Sequence, residues 1–466
     1  MSNKLQAATL TLFALAAPLA AQTFPATNFA ATHNSYSGNI SGQRGTIQQQ
    51  LASGARFIEY DINLGDYTTN HDYQIGHGSP GSQVDHTPPN PSTNDLAAWL
   101  QLLAAWSDQN PGHAPITLGL DAKDDFSSED SPAQGNPSAL NAELFQYLGT
   151  RLYTPIELGD AAWPDWSSLK GRILVVLSGD QDNRKHYRSD QGKTPAVAIN
   201  AGGQAIVVYQ SSQTSSLWYW YGHAEGIGQI SWPVHGKYDS GVTPAVALDE
   251  NGVIVEVHKS QSGSQLYSHV GMPQDGQLKW GPSQPLNASG SMPSVAFTGT
   301  NTVSEVHQGS NGQNQLVTGT VNPATLTIQW SPAAPTSQAR FPTTTSTAGN
   351  NSVTVSTGSS PAAGTLLYST PQVRQARVVY PQIMFTEFQK GDSSQLGNDG
   401  LWFYACSDSS SNWSWAGQER QAGKIVRIWS FDQDDTGIPV APNFPATDTP
   451  YAGWYTQYCA TNACQQ

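Results

Sequence analysis

The sequence predicts an α/β domain built on a parallel sheet, open or closed, and interrupted by an all-β insert. Three observations carry this. Strand-like runs alternate with helical patterns before residue 184 and strand-like runs return after residue 368. The middle of the chain repeats with a period near 49 residues. Carboxylates recur at matched positions of successive strands.

The chain has 466 residues, enough for more than one core, with 38% hydrophobic and 12% charged residues, 43 Gly and 30 Pro. This is the composition of a folded, turn-rich chain rather than a disordered one. The formal net charge of −14 argues against nucleic-acid partners and gives no attraction to anionic bilayers.

Residues 1–21 read as a secretory signal: Lys4 is the positive region, Ala7 to Leu19 the apolar stretch, and Ala20–Ala21 the small residues for cleavage. No later segment is apolar enough to be a transmembrane span. Export would suit the sequons at Asn39, Asn287, Asn350 and Asn412.

The first polar motif is Thr32–His33–Asn34–Ser35–Tyr36. The strand Arg56–Phe57–Ile58–Glu59–Tyr60–Asp61–Ile62 follows. Side chains alternate along a strand, so Glu59 and Asp61 share one face while Ile58, Tyr60 and Ile62 share the other. Two carboxylates facing a fold's interior must be paired, neutralised or bound to a cation. The pattern recurs in Ile116–Lys123, where Thr117, Asp121 and Lys123 share a face. Between these strands lies Ile75–Gly76–His77–Gly78. His33, His77, Asn34, Glu59, Asp61 and Asp121 therefore cluster at successive strand ends, the arrangement of an active site.

Helical patterns cover Asp95–Trp106, capped by Thr93 or Asn94, and Leu140–Leu152. Arg172–Leu177 is a continuous apolar run, as in a strand buried on both faces. His71, His86 and His113 fall in polar loops and read as solvated, and Asp124 and Asp125 read as a helix cap.

From residue 185 to 367 the chain repeats. Pro195, Pro244, Pro293 and Pro342 are evenly spaced by 49, as are Tyr209, His258, His307 and Ser356. Trp232, Trp280 and Trp330 close three of the units. The first unit reads as strands 195–200, 204–210, 217–221 and 229–232 separated by Gly- and Ser-rich turns. Units of this length are blade-sized, so the insert is expected to be a four-bladed β-propeller, its last blade completed by the segment before Pro195. Repeated positions usually serve packing, so His258, His307 and the tryptophans are expected in blade cores. An aromatic-rich insert also fits glycan binding.

After the insert, 382–388, 401–405 and 424–429 return to strand-like patterns, so residues 22–184 and 368–466 form one split domain. Cys459 is expected to pair with Cys464 or Cys406. Asp432, Asp434 and Asp435 read as a solvated acidic turn.

These motifs resemble the catalytic region of phosphatidylinositol-specific phospholipase C, in its secreted, calcium-dependent branch. The resemblance rests on His33–Asn34–Ser35–Tyr36, Gly54–Ala55–Arg56, Glu59–Tyr60–Asp61, His77–Gly78 and Leu118–Gly119–Leu120–Asp121, with Lys123–Asp124–Asp125 beyond. It covers roughly residues 27–126, is thinner over 172–180 and 380–460, and is absent across the repeats. It implies a distorted TIM-type (β/α) barrel with its active site at the C-terminal strand ends. It also implies that Asn34, Glu59, Asp61 and Asp121 occupy the calcium-ligand positions; all four donate hard oxygens, which suit Ca²⁺, or less readily Mg²⁺, and not a soft metal. Metal-free relatives carry arginine where this chain has Asn63, and animal enzymes usually carry glutamate where Asp121 stands.

The implied reaction is attack by the inositol 2-hydroxyl on the adjacent phosphodiester, releasing diacylglycerol. Two proton transfers suit two imidazoles. His77 is assigned as general acid, His33 as stabiliser or base, and Glu59 as a competing base. Lys123, Arg427 and Trp429 are candidate substrate contacts. Two other functions stay open. One is a glycerophosphodiester phosphodiesterase, whose first histidine is typically followed by arginine rather than Asn34. The other is a carbohydrate-binding propeller carried on a degenerate barrel.

Overall fold

The computed structural model describes residues 22–465, apart from 127–133, 159–161, 189, 225–229, 342–344, 349–350, 358–364, 372–375, 379, 381 and 393–401. The expected leader, the Asn350 sequon, Pro342, Gln229 and Leu401 lie outside the described residues.

Eight parallel strands close into a barrel: β1 (Ala30–Thr32), β2 (Ala55–Asn63), β3 (Ile116–Ala122), β4 (Ile173–Gly179), β5 (Phe385–Gln389), β6 (Phe403–Ser407), β7 (Ile425–Trp429) and β8 (Phe444–Thr447). Each pairs with the next, and β8 returns to β1 through Ala31↔Ala446. Alternation fixes what each face does. Phe57, Leu174, Val176, Phe385, Phe403, Ile425 and Phe444 fill the barrel interior. Ile58, Tyr60, Leu118, Leu120, Val175 and Leu177 face outward to helices α2 (Leu96–Gln109) and α3 (Pro137–Leu148), where they meet Trp99, Leu103, Leu140 and Leu144. Gly119 leaves room for this interior: a Cβ there would stand 2.8 Å from Cζ of Phe57.

The insert enters after α4 (Gln181–Arg188). It consists of four consecutive antiparallel sheets that begin at Gly192, Val242, Ser291 and Thr345. Gly192, Gly241 and Gly290 keep the 49-residue step. A Cβ on any of them would fall within 2.5 Å of the ring of Tyr209, His258 or His307 respectively, so each of the first three repeats places a glycine against the buried ring at its equivalent position.

Neighbouring sheets share cores. Val207 and Trp220 of the first pack with Val355 and Tyr368 of the fourth. Ile206 and Val208 pack with Val246 and Ile254 of the second, and Val255 and Val257 with Val303 and Val317 of the third. The coarser expectation of a repeated all-β insert holds, whereas closure into a four-bladed ring is not established among the described residues.

The last sheet also corrects a detail. Its outer strand is Ala376–Arg377, because the segment that follows Leu366–Ser369 in sequence pairs antiparallel with it. The segment before Pro195 forms no strand of that sheet among the described residues; it meets it through the bridge Gln191↔Thr365 and a backbone bond from Asp190 to Val378.

Several local expectations change. His113 is buried, bonding Ser107 Oγ at 2.8 Å and the carbonyl of Ala114 at 2.7 Å, because it sits where the loop after α2 folds under the barrel. Asp95 rather than Thr93 or Asn94 occupies the N-cap of α2. Asp124 accepts the backbone N–H of Leu64 at 2.7 Å instead of capping a helix. Cys459 pairs with Cys464 and leaves Cys406 buried and free. Trp232 and Trp330 are buried, in keeping with a packing role, and His258 and His307 are buried beside Glu256 and Glu305 respectively.

One buried acid has a measurable consequence. Glu143 on α3 is driven up to about 10 by burial and by the carboxylate of Asp72. Its folded value lies above its unfolded one, so stability is full below the unfolded pKa and declines as pH rises toward 10. Glu143→Gln should therefore raise stability near neutral pH by about 1–3 kcal/mol and leave it unchanged near pH 4. Denaturant unfolding at the two pH values is the check.

Candidate active site

Inside the barrel the sequence changes character toward the C-terminal strand ends. On β2 the inward series runs Phe57, Glu59, Asp61; on β4 Leu174, Val176, Ser178; on β5 Phe385, Glu387, Gln389; on β7 Ile425, Arg427, Trp429. Register aligns these layers: Asp61 pairs with Asp121, Asp121 with Ser178, and Ala405 with Arg427. An apolar floor is thus capped by a polar layer. Above it opens a cavity of about 440 Å³ lined by His33, Asn34, Glu59, His77, Asp121, Lys123, Gln389, Arg427 and Trp429, among others. Asp61 lies beneath, fully buried.

Both histidines are anchored through Nδ1. His33 Nδ1 lies 3.0 Å from Oδ1 of Asp448, which also takes an ion pair from the buried Arg44. His77 Nδ1 lies 2.9 Å from Oδ2 of Asp61. Each ring can therefore present Nε2 for proton exchange. The His77 side chain is 46% exposed and that of His33 17%.

The His77 loop is held by Asn63, whose amide donates to the carbonyl of Gly76 at 2.7 Å. Asn34 adopts a left-handed conformation at φ 46°, which turns its backbone N–H onto Oε2 of Glu59 at 3.0 Å. Asparagine tolerates that conformation better than most residues.

Charge is concentrated here. Oδ2 of Asp61 receives Tyr36 Oη at 2.9 Å and Lys123 Nζ at 3.0 Å, and Lys123 also reaches Asp121 at 3.1 Å. Oδ1 of Asp61 is buried with no hydrogen-bond partner. Burial and the Asp61 carboxylate push Asp121 up to about 7. Burial raises Asp61 too, helped by Glu59. Burial also acts on Glu59, but Arg427, His33 and the Asn34 N–H hold its carboxyl below the usual range. Oxygens of Glu59, Asp61 and Asp121 lie within 4.8 Å of one another.

Of the candidate substrate contacts, Trp429 and Lys123 line the cavity, with Lys123 bridging the two aspartates. Arg427 also lines it but is nearly buried, donating to Glu59 at 2.7 Å and to Glu387 at 3.3 Å while its guanidinium sits 4.9 Å from the Phe57 ring centre.

Sequence reasoning overlooked several members of the site. Glu387 was discoverable, because it alternates in step with Phe385 on its strand. Ser178, which bonds Glu387, and Gln389 follow by the same rule. Asp448 and Arg44 sit in loops after β8 and before α1 (Ile47–Ala52); no local pattern marks Asp448 as the partner of His33 or Arg44 as the partner of Asp448.

Among solved structures, the chain is similar to a calcium-dependent phosphoinositol-specific phospholipase C from a Gram-negative bacterium, Pseudomonas sp. The identity is 27%, over 36% of this chain and 61% of that one, with a TM-score of 0.30. It is also similar to a Ca²⁺-dependent phosphatidylinositol-specific phospholipase C from Streptomyces antibioticus, at 26% identity over 35% and 56% of the two chains and a TM-score of 0.29. A neuraminidase-like protein of a bat influenza virus shares 10% identity over 41% and 58%, with a TM-score of 0.24. The chain thus spans less than two thirds of the length of each of these structures. No protein-family model and no curated protein matches it.

Proposed function

We propose that this protein is a phosphoric diester hydrolase of the phospholipase C type, acting on an inositol phospholipid or a related phosphodiester outside the cell. One observation supports it above the rest: two imidazoles, each held at Nδ1 by a carboxylate, face a shared cavity over three clustered acids. Such a pair can take a proton from an attacking hydroxyl and give one to a leaving oxygen in the same turnover.

In this reading His77 protonates the leaving diacylglycerol oxygen as the P–O bond breaks. His33, poised by Asp448, accepts the proton of the inositol 2-hydroxyl or stabilises the phosphorane; Glu59 is the alternative base. Asp61 orients His77 and stabilises it when charged. Trp429 offers an apolar wall to the headgroup. Lys123 contributes positive charge to the phosphate.

The donor set fits a hard cation. Asn34, Glu59, Asp61 and Asp121 supply oxygens only, and the unpartnered Oδ1 of Asp61 leaves one buried acceptor unsatisfied. When bound there, Ca²⁺ would lower the pKa of the attacking hydroxyl and offset charge on the phosphate. Among the described residues Lys123 bridges Asp61 and Asp121 and Arg427 pairs with Glu59, so each of the three acids also faces a cationic side chain.

The test is the purified protein on phosphatidylinositol vesicles, with product analysis. Cyclic inositol phosphate is expected, inhibited by EDTA and restored by Ca²⁺. Release of glycerol 3-phosphate from glycerophosphodiesters would instead favour the glycerophosphodiesterase reading, and no turnover on either substrate class would leave the barrel a scaffold. Among the described residues no helix is long and apolar enough to cross a membrane.

A further inference from the structure

The second repeat of the insert holds a group of side chains that the barrel chemistry does not use. Asp239, His258 and His269 place ligand atoms within 4.8 Å of one another. Oδ2 of Asp239 lies 2.7 Å from Nε2 of His269 and 3.5 Å from Nε2 of His258, and it also accepts from Ser283 Oγ at 2.8 Å. The far nitrogens are tied down as well. His258 Nδ1 lies 3.0 Å from Oε2 of the buried Glu256, and His269 Nδ1 lies 3.0 Å from the carbonyl oxygen of Gly281. Both rings are buried, whereas the Asp239 side chain is 26% exposed.

Counting protons makes the arrangement specific. All four ring nitrogens face oxygen acceptors. Two neutral imidazoles carry only two N–H groups, and the carbonyl of Gly281 and the carboxylate of Glu256 take them. That leaves the Nε2 atoms of both rings beside one carboxylate oxygen, His269 at hydrogen-bond distance and His258 at 3.5 Å. A single extra proton on His269 would satisfy its own contact, whereas one divalent cation would engage both rings and neutralise Asp239 and Glu256 together. A His–His–Asp set in which each ring's other nitrogen is fixed by a carboxylate or carbonyl is the arrangement by which proteins hold zinc-like ions.

The neighbouring repeats sharpen the contrast. Forty-nine residues earlier the same positions are Asp190, Tyr209 and Trp220. There Oδ2 of Asp190 accepts from the Tyr209 hydroxyl and from Trp220 Nε1, the latter at 2.7 Å. Those donors bring their own protons, and a single imidazole, His235, faces the same oxygen at 3.2 Å. In the third repeat the pair Glu305–His307 is retained at 2.8 Å, but Val317 stands opposite Glu305 in the strand register, and Ala288 stands where Asp239 would be. Among the described residues, the second repeat alone combines the carboxylate with two anchored imidazoles.

We propose that Asp239, His258 and His269 form a site for a divalent transition-metal ion of the zinc class, distinct from the oxygen-only cluster in the barrel. Nitrogen donors select such an ion over Ca²⁺. Three protein ligands leave a further position for water, reached from the exposed side of Asp239. The role is to clamp the hairpin Ile254–Gln274 to the end of the preceding strand, Ile230–Ser240.

The experiment is equilibrium dialysis of Zn²⁺ and Co²⁺ against the full-length protein in excess Ca²⁺, with thermal unfolding in parallel. One equivalent is expected, with a rise in Tm on Zn²⁺ addition. Both should persist in Glu59→Gln and in His307→Ala, the latter removing an equally buried ring from the third repeat. Both should be lost in His269→Ala and in Asp239→Asn, which is nearly isosteric and partly exposed and so keeps the test valid if the histidine variant fails to fold. Glu256→Gln should weaken binding by about 10–100-fold through loss of ring orientation. No bound equivalent in the wild type, or an equivalent retained in folded Asp239→Asn, would overturn the assignment.

Discussion

His77→Ala and His33→Ala are each expected to lower turnover of phosphatidylinositol by roughly 10²–10⁴-fold, the usual scale of a lost general acid or base. Folding should be nearly untouched. The His77 ring is about half exposed, and its main polar partner, Asp61, keeps Tyr36 and Lys123.

The two variants should differ in kind. A general acid matters only while the leaving oxygen needs a proton, so a nitrophenyl phosphodiester should recover much of the loss in His77→Ala and little of it in His33→Ala. Asp448→Asn, which removes the charge partner of His33 at 3.0 Å, should fall between wild type and His33→Ala. Steady-state kinetics on the two substrates decide the matter. Full activity in both alanine variants, with intact folding, would remove the acid–base account altogether.

The second large effect concerns stability. Arg427 is only 2% exposed and its guanidinium is shared by Glu59 and Glu387, each only 1% exposed. Burial acts against its charge, but these two carboxylates raise its affinity for the proton, so it remains a cation. Arg427→Met would leave two buried carboxylates without their partner, at a cost of about 3–5 kcal/mol.

A residue whose sole task was to touch substrate would behave differently, raising KM while leaving the unfolding midpoint in place. Adding Glu59→Gln and Glu387→Gln to Arg427→Met should recover a large part of the stability, because the stranded charges are then gone. Denaturant unfolding of the single and triple variants separates the two accounts.

Much of the site was legible because strands write their faces into the sequence with a period of two. Glu59 next to Tyr60 and Asp61, and Asp121 after Leu120, identify both the inward face and the polar end of the barrel without any coordinates. The helix-facing layer of Ile58, Tyr60 and Leu118 follows by the same rule. The repeats were legible because a period of 49 residues survives even where the residues change.

What failed did so for physical reasons. His113 was misjudged because polar flanking residues do not reveal a loop that folds beneath the barrel. The outer strand of the last sheet was assigned to the wrong side of the chain because a two-residue strand has no periodicity to detect.

The sequence by itself determined the alternation of strands and helices, the split of one domain by a repeating insert, and which carboxylates and imidazoles share a strand end. Only the tertiary structure decided that Asp448, 415 residues away, holds His33, that Arg427 is clamped between Glu59 and Glu387, and that two histidines of one repeat converge on Asp239. Local pattern records which way a side chain faces along its own strand. Partnership between distant segments depends on how the barrel closes and how the repeats stack, and no local period encodes that closure.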